Sequence, residues 1–180
     1  MAGHSRWAQI KHKKEASDTK KGQLFSKLVR EITIAARIDG HKTEANARLN
    51  AAVLRAKDAG LPKENIERAI ARASGGGEEK LEEFLYEAIA PGGIMILIAA
   101  ITDNKNRTLA QIKQILQGYE AKLVNPGSLL WNFEKTGGDY KPRNTLELVA
   151  EENKKIENFL NTLSEHDDIQ KIYTNLRELP

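Results

Sequence analysis

The residues best placed to do chemistry stand at the start of the chain. MAGHSRWAQIKHKKEASDTKKGQLFSKLVREI carries His4, Ser5, Arg6, Trp7, Lys11, His12, Lys13, Lys14, Lys20, Lys21, Lys27 and Arg30 within thirty-two residues. Through Arg37, nine Lys or Arg stand against three acids, a local net charge of +6. Cations at that density suit a polyanion, because each one that displaces a condensed counterion from a nucleic acid gains entropy. The plainer alternative is a solvated charged face. Trp7 fits two roles, a platform on which a base stacks, worth ~1–3 kcal/mol, or an anchor that ties the basic arm to its own domain. His4 and His12 either add donors to a phosphate-facing arm or are simply exposed.

Other chemistries find less support. The chain has no Cys, which excludes disulfides, thiolate zinc sites and cysteine nucleophiles and agrees with a reducing compartment. His4, His12, His41 and His166 are scattered, with no HxxxH spacing, so no metal site is expected. No GxSxG or SxxK signature marks a nucleophilic serine. Gly75-Gly76-Gly77 is not followed by Gly-Lys-Ser/Thr and reads as a linker rather than a phosphate loop. Asp167-Asp168 reads as the junction between a helix and a strand rather than a carboxylate pair. With no acid, base and pocket assembled, neither an enzyme, a cofactor nor a small-molecule substrate is expected. One secondary anion site remains open at Asp103-Asn104-Lys105-Asn106-Arg107-Thr108. Asx residues there suit a turn and a helix cap, while a helix N-terminus flanked by Lys105 and Arg107 suits an anion.

The elements that must position these groups follow from apolar spacing. Residues 1 to about 18 lack a sustained period and read as an irregular arm. From about Thr19, Phe25, Leu28, Val29, Ile32, Ala35 and Ala36 recur at helical spacing up to Gly40. A second helix is predicted from about Asn46 to Ala59, with Leu49, Ala52, Val53 and Ala56 inward. A third follows Pro62, with Ile66, Ala69, Ile70 and Ala73 inward. Three helices joined by short turns make a small bundle.

Beyond Gly77 the pattern and the charge both change. Residues 1–77 carry sixteen bases and eight acids, a net of +8, and residues 78–180 carry twelve and seventeen, a net of −5. The expected division is a basic helical nucleic-acid-binding domain, 1–77, with its arm at 1–18, and an acidic α/β domain, 78–180. In the second part Phe84 to Ala90 and Ile94 to Thr102 read as strands around Pro91-Gly92-Gly93. Asn106 to Tyr119 reads as a helix, and Ala121–Val124 and Leu129–Phe133 as short strands, the latter with Trp131 in the core. Thr136–Asn144 reads as a polar connection, Leu148–Ser164 as a helix and Ile169–Thr174 as a last strand. The fold class expected is α+β: a three-helix bundle with a basic arm, then an α/β sandwich on a mostly antiparallel sheet. The longest apolar run, Ile94 to Ile101, is eight residues, far short of the roughly 20 that cross a bilayer. No apolar segment of the secretory type opens the chain, so a cytoplasmic protein is expected, with an organellar location left open.

The blocks MAGHSRWAQIKHKK, DTKKGQLFSKLVREI, LPKENIERAI, APGG, ITDNKNRT, PGSLLWNF and DDIQKIYTN together resemble the YebC/PmpR family, which includes the mitochondrial translational activator of cytochrome c oxidase. The resemblance spans nearly the whole chain. It implies a DNA-binding transcriptional regulator or, alternatively, a ribosome-associated translation factor that binds ribosomal RNA. It places the family's opening basic block on His4, Ser5, Arg6, Trp7, Lys11, His12, Lys13, Lys14, Lys20, Lys21 and Lys27. Two departures stand out. Ile89-Ala90 replaces the Tyr-Gly that usually precedes the family's Pro-Gly-Gly, and a further small α/β domain usually found after the block matched by PGSLLWNFEKTG is missing. The partners expected are therefore nucleic acid through the basic part and proteins through the acidic part, with no membrane.

Overall fold

The computed structural model describes residues 18–74, 80–148 and 150–177. Three of its helices, α1 (Asp18–Asp39), α2 (Ala47–Asp58) and α3 (Lys63–Ser74), occupy the stretches where apolar residues recur at three- and four-residue spacing. Leu28, Ile32, Ala35 and Ala36 of α1 meet Leu49, Ala52, Val53 and Ala56 of α2 and Ile66 and Ala69 of α3 in one apolar core. Polar side chains lock the joints. Asn46 caps α2: its Oδ1 accepts from the Leu49 N–H at 2.8 Å, while its Nδ2 donates to the Ala35 and Gly40 carbonyls, each at 2.8 Å. One buried amide thus satisfies the start of α2 and the end of α1, where helical backbone groups lack intrahelical partners. The Thr33 hydroxyl reaches the Val29 carbonyl at 2.9 Å and the Ala69 carbonyl at 3.3 Å, joining α1 to α3.

The rest of the described chain is mixed. Strands β1 (Glu82–Ala90) and β2 (Ile94–Thr102) are linked through Pro91–Gly93, and α4 (Lys105–Gly118) follows. Next come β3 (Lys122–Leu123), the hairpin β4 (Phe133–Thr136) and β5 (Asp139–Pro142), α5 (Ala150–Ser164) and β6 (Ile169–Thr174). Among the described residues the larger sheet has the order β3-β1-β2-β6, with β3 antiparallel to β1 and β6 antiparallel to β2. One face, with Ala88, Ile94, Ile96, Ile98, Ile169 and Ile172, packs against Ile112 and Leu116 of α4 and Phe159 and Leu163 of α5. On the other face Leu97 and Tyr173 pack with Leu129, Phe133 and Tyr140 beneath the β4–β5 hairpin. Burial on both faces explains why β2 reads as a continuous apolar run instead of alternating.

The described residues form two compact units, with the division between Glu83 and Phe84; Ile101–Asn104 group with the helical unit. Gly75-Gly76-Gly77 and the arm lie outside the described residues. The predicted α+β class and the mostly antiparallel sheet are what the structure has.

Two local expectations are corrected. Leu129–Phe133 is not a strand: Leu130–Asn132 form a single 3-10 turn and β4 starts at Phe133. A repeat of three instead of two turns Leu129 and Asn132 inward together, so Trp131, expected in the core, is 61% exposed. The polar stretch Thr136–Asn144 is no plain connection either, because it supplies β5 and the hairpin turn.

Candidate nucleic-acid interface

His4, Ser5, Arg6, Trp7, Lys11, His12, Lys13 and Lys14 lie outside the described residues. Of the others, Lys20 and Lys21 are exposed on the first turns of α1, where the Lys21 ammonium sits 5.6 Å from the Phe25 ring centroid, one turn on. Lys27 is only 7% exposed. Arg30 is half-buried, and its guanidinium donates to the Ile101 carbonyl of the same unit at 3.3 Å. The structure therefore buries Lys27, gives Arg30 a hydrogen bond within the unit, and keeps Lys20 and Lys21 exposed.

Five further exposed cations belong to the helical unit: Lys42, Lys57, Arg68, Arg72 and Lys80. They hold no ion pair among the described residues. The signal for two of them was in the sequence, since a stripe at Ile66, Ala69, Ile70 and Ala73 puts Arg68 and Arg72 on the opposite side of α3, one turn apart. Lys57 and Arg72 also stand in the last turns of their helices, where a cation complements the helix dipole. Other cations are matched by acids: Arg48 with Glu83, Arg55 with Glu31 and Lys63 with Glu67. The Glu83 hydrogen bond raises the Arg48 guanidinium further above its ordinary value. Arg37 donates to the Leu81 carbonyl at 3.1 Å.

The secondary anion candidate at the start of α4 is built differently. The Lys105 ammonium lies 5.1 Å from the Phe84 ring centroid. The Arg107 guanidinium pairs with Asp168 at 3.1 Å, and the Thr108 hydroxyl donates to the same carboxylate oxygen at 2.6 Å. Asp168 is 3% exposed. Its own N–H donates to His166 Nδ1 at 3.1 Å, which leaves Nε2 to carry the ring proton of the neutral imidazole and bond Gln111 at 2.9 Å. Arg107 thus already has an internal anion. The same carboxylate reaches Tyr86, whose phenol is pushed up by burial first and by the Asp168 charge second. Sequence reasoning treated Asp168 as a junction residue and missed this cluster, since its partners lie about sixty positions away.

Among the described residues no group of three His, Asp or Glu is placed to hold a metal, and no helix is long and apolar enough to cross a membrane. What the fold and its charges define is a two-unit α+β protein whose helical unit carries a set of exposed cations, unpaired among the described residues. The model of the TACO1/YebC protein N-terminal domain matches residues 5–76, and that of the TACO1/YebC second and third domain matches residues 81–138 and 137–176. The chain belongs to the TACO1/YebC family.

Its relatives include a probable transcriptional regulatory protein of Petrotoga mobilis, 47% identical over 152 residues that cover 84% of this chain and 61% of the relative. A probable transcriptional regulatory protein of Thermotoga maritima is 35% identical over 236 aligned positions, covering 97% of this chain and 93% of the relative. A solved structure, a conserved hypothetical protein from Aquifex aeolicus, superposes with a TM-score of 0.86 at 31% identity, covering 96% of this chain and 97% of that one. The chain spans about three fifths of the length of the first curated relatives it matches. It is a short member, because an alignment of 236 positions is longer than its 180 residues. The two segments matched by the second-and-third-domain model meet at residues 137–138. In this chain those residues are the turn of the β4–β5 hairpin, and Gly137 and Gly138 take φ of +59° and +91°, the pair of positive angles that a two-residue type I′ turn requires.

Proposed function

We propose that the protein is a DNA-binding transcriptional regulator of the YebC/PmpR type, acting in the cytoplasm without a cofactor and without catalysis. The observation that carries this reading is the concentration of charge: a net of +8 within residues 1–77, with Lys20, Lys21, Lys42, Lys57, Arg68 and Arg72 exposed on the helical unit. The names of the relatives support it. In this reading His4, Ser5, Arg6, Trp7, Lys11, His12, Lys13 and Lys14 engage the duplex with Lys20 and Lys21, and the exposed cations of α2 and α3 widen the contact. Binding is driven by counterion release at phosphates, and an arm bearing Arg6 and Lys11 suits entry into a groove. Lys27, which is buried, and Arg30, which donates to the Ile101 carbonyl, complete the basic block behind that contact. The acidic part, 78–180, serves contacts with proteins.

The test is crosslinking in cells followed by sequencing of the bound nucleic acid. Recovery of discrete DNA sites upstream of genes is the expected result. Recovery of ribosomal RNA in place of DNA contradicts it and assigns the same cations to a ribosome-associated translation factor.

A further inference from the structure

We propose that the α/β unit carries a second nucleic-acid contact of its own: Trp131 is a stacking platform for an unpaired base, with Lys141 and Arg143 meeting the phosphates that flank it. The proposal rests on the nucleic-acid partner proposed above and names where a single-stranded part of it binds. A Trp at 61% exposure beside Leu130 at 37% is unusual, since Trp is highly buried on average. The residues on either side are fixed. Leu129 and Phe133 are buried in the core beneath the hairpin. The Glu87 carboxylate accepts from the Leu129 N–H at 2.6 Å and from the Gly127 N–H. On the other side the buried Asn132 clamps the strand exit: its Nδ2 donates to the Asn144 carbonyl at 3.1 Å and its Oδ1 accepts from the Asn144 N–H at 3.0 Å. The indole is therefore held outward on a rigid turn, which lowers the ordering cost of binding.

Its surroundings select the occupant. The Arg143 N–H donates to the Asn132 carbonyl at 2.7 Å, so Arg143 stands across the backbone from the residue after Trp131. Lys141 pairs in register with Glu134 on the hairpin. Both cations are exposed and hold no ion pair among the described residues. Asp139, the other acid of the hairpin, is neutralised by Lys171 at 2.5 Å. Two exposed cations on the segment that pairs with the one leading out of an exposed aromatic, within a part of the chain that totals −5, match base stacking with backbone neutralisation. A protein partner would be met by a broader apolar patch.

The test measures binding of labelled oligonucleotides of about 12 nucleotides, within the footprint of such sites, to the full chain and to its W131A and W131F variants. Single-stranded RNA, single-stranded DNA and a duplex are the three probes. W131A is expected to weaken binding of one or both single strands about 5- to 100-fold, with W131F retaining most of the affinity and duplex binding little changed. The RNA and DNA arms show which sugar the site accepts. Single-strand affinity unchanged in W131A overturns the proposal while duplex binding keeps the regulator reading alive. Absence of binding to all three probes overturns both. A wild-type dimer that W131A dissociates, with nucleic-acid affinity intact, assigns the face to a second copy of the chain and overturns it as well.

Discussion

Asp168 is a buried carboxylate at the foot of β6, and its partners give it an organising role that its place in the sequence hides. It holds the Arg107 guanidinium and the Thr108 hydroxyl at once, tying the first turn of α4 to the entry of β6. Replacing it with Ala leaves both donors without that acceptor. Arg107 is half-exposed and recovers part of its loss from water, so the expected cost of D168A is about 1–3 kcal/mol, seen as a lower urea midpoint. An unchanged midpoint contradicts the hub. Tyr86 is the complementary case: its hydroxyl is buried with no hydrogen-bond partner among the described residues, and its phenol titrates above its ordinary value near 10.0. Above pH 10 the unfolded chain releases a proton that the folded chain keeps, so this residue's contribution to stability is intact below about pH 10 and declines as pH rises toward the folded value. Y86F should therefore equal or exceed the wild type by up to about 1 kcal/mol at neutral pH and lose less stability on going alkaline. Denaturant melts of the two proteins across that pH range decide the matter; parallel losses would remove Tyr86 from the alkaline response.

At the scale of elements, joints matter more than propensity. Asn46 makes three hydrogen bonds from one side chain, so N46A should cost about 1–3 kcal/mol, a lost cap plus the loss of a donor to one buried and one part-buried carbonyl. N46D, which keeps the cap acceptor and loses both donors, should fall between, and equal stability of all three proteins by thermal melting would refute the double role. The helices were legible because Leu28, Ile32 and Ala36, or Ile66, Ala69 and Ala73, repeat with the helical period and bury one face. β2 was legible too, from an apolar run bounded by turn residues. The Leu130–Asn132 turn was not, since five residues of LLWNF-type sequence fit a period of two as easily as one of three, and only the Glu87 and Asn132 hydrogen bonds choose between them. The β4–β5 hairpin was hidden by polarity: Glu134, Lys135, Thr136, Asp139 and Lys141 are exposed, although the strands pair in register from Phe133 with Pro142 to Thr136 with Asp139. Its Gly137-Gly138 turn stands where the two matched segments meet, so a folded domain inserted there should leave the α/β unit intact. A fall in the melting temperature of the unit by more than about 5 °C, equivalent to roughly 1 kcal/mol in a domain of this size, would contradict that.

Over the whole molecule the decisive property is the uneven charge, +8 in residues 1–77 against −5 in residues 78–180. The sequence showed this sum but distributed it imperfectly. Lys27 is buried and Arg30 is bonded to a carbonyl, while Lys42, Lys57, Arg68 and Arg72 contribute exposed charge that inspection of the arm alone overlooks. Sums of charge are visible in a sequence; which charges face water depends on packing between helices distant along the chain. The most direct test of the central claim is the salt dependence of duplex DNA binding by the full chain and by a K11A/K13A/K14A triple variant. For about six neutralised phosphates the logarithm of the affinity should fall against the logarithm of salt with a slope of roughly −5, and the triple variant should flatten it to about −2 to −3 while leaving the melting temperature in place. Binding that ignores salt, or a slope and affinity untouched by the three substitutions, would contradict the account.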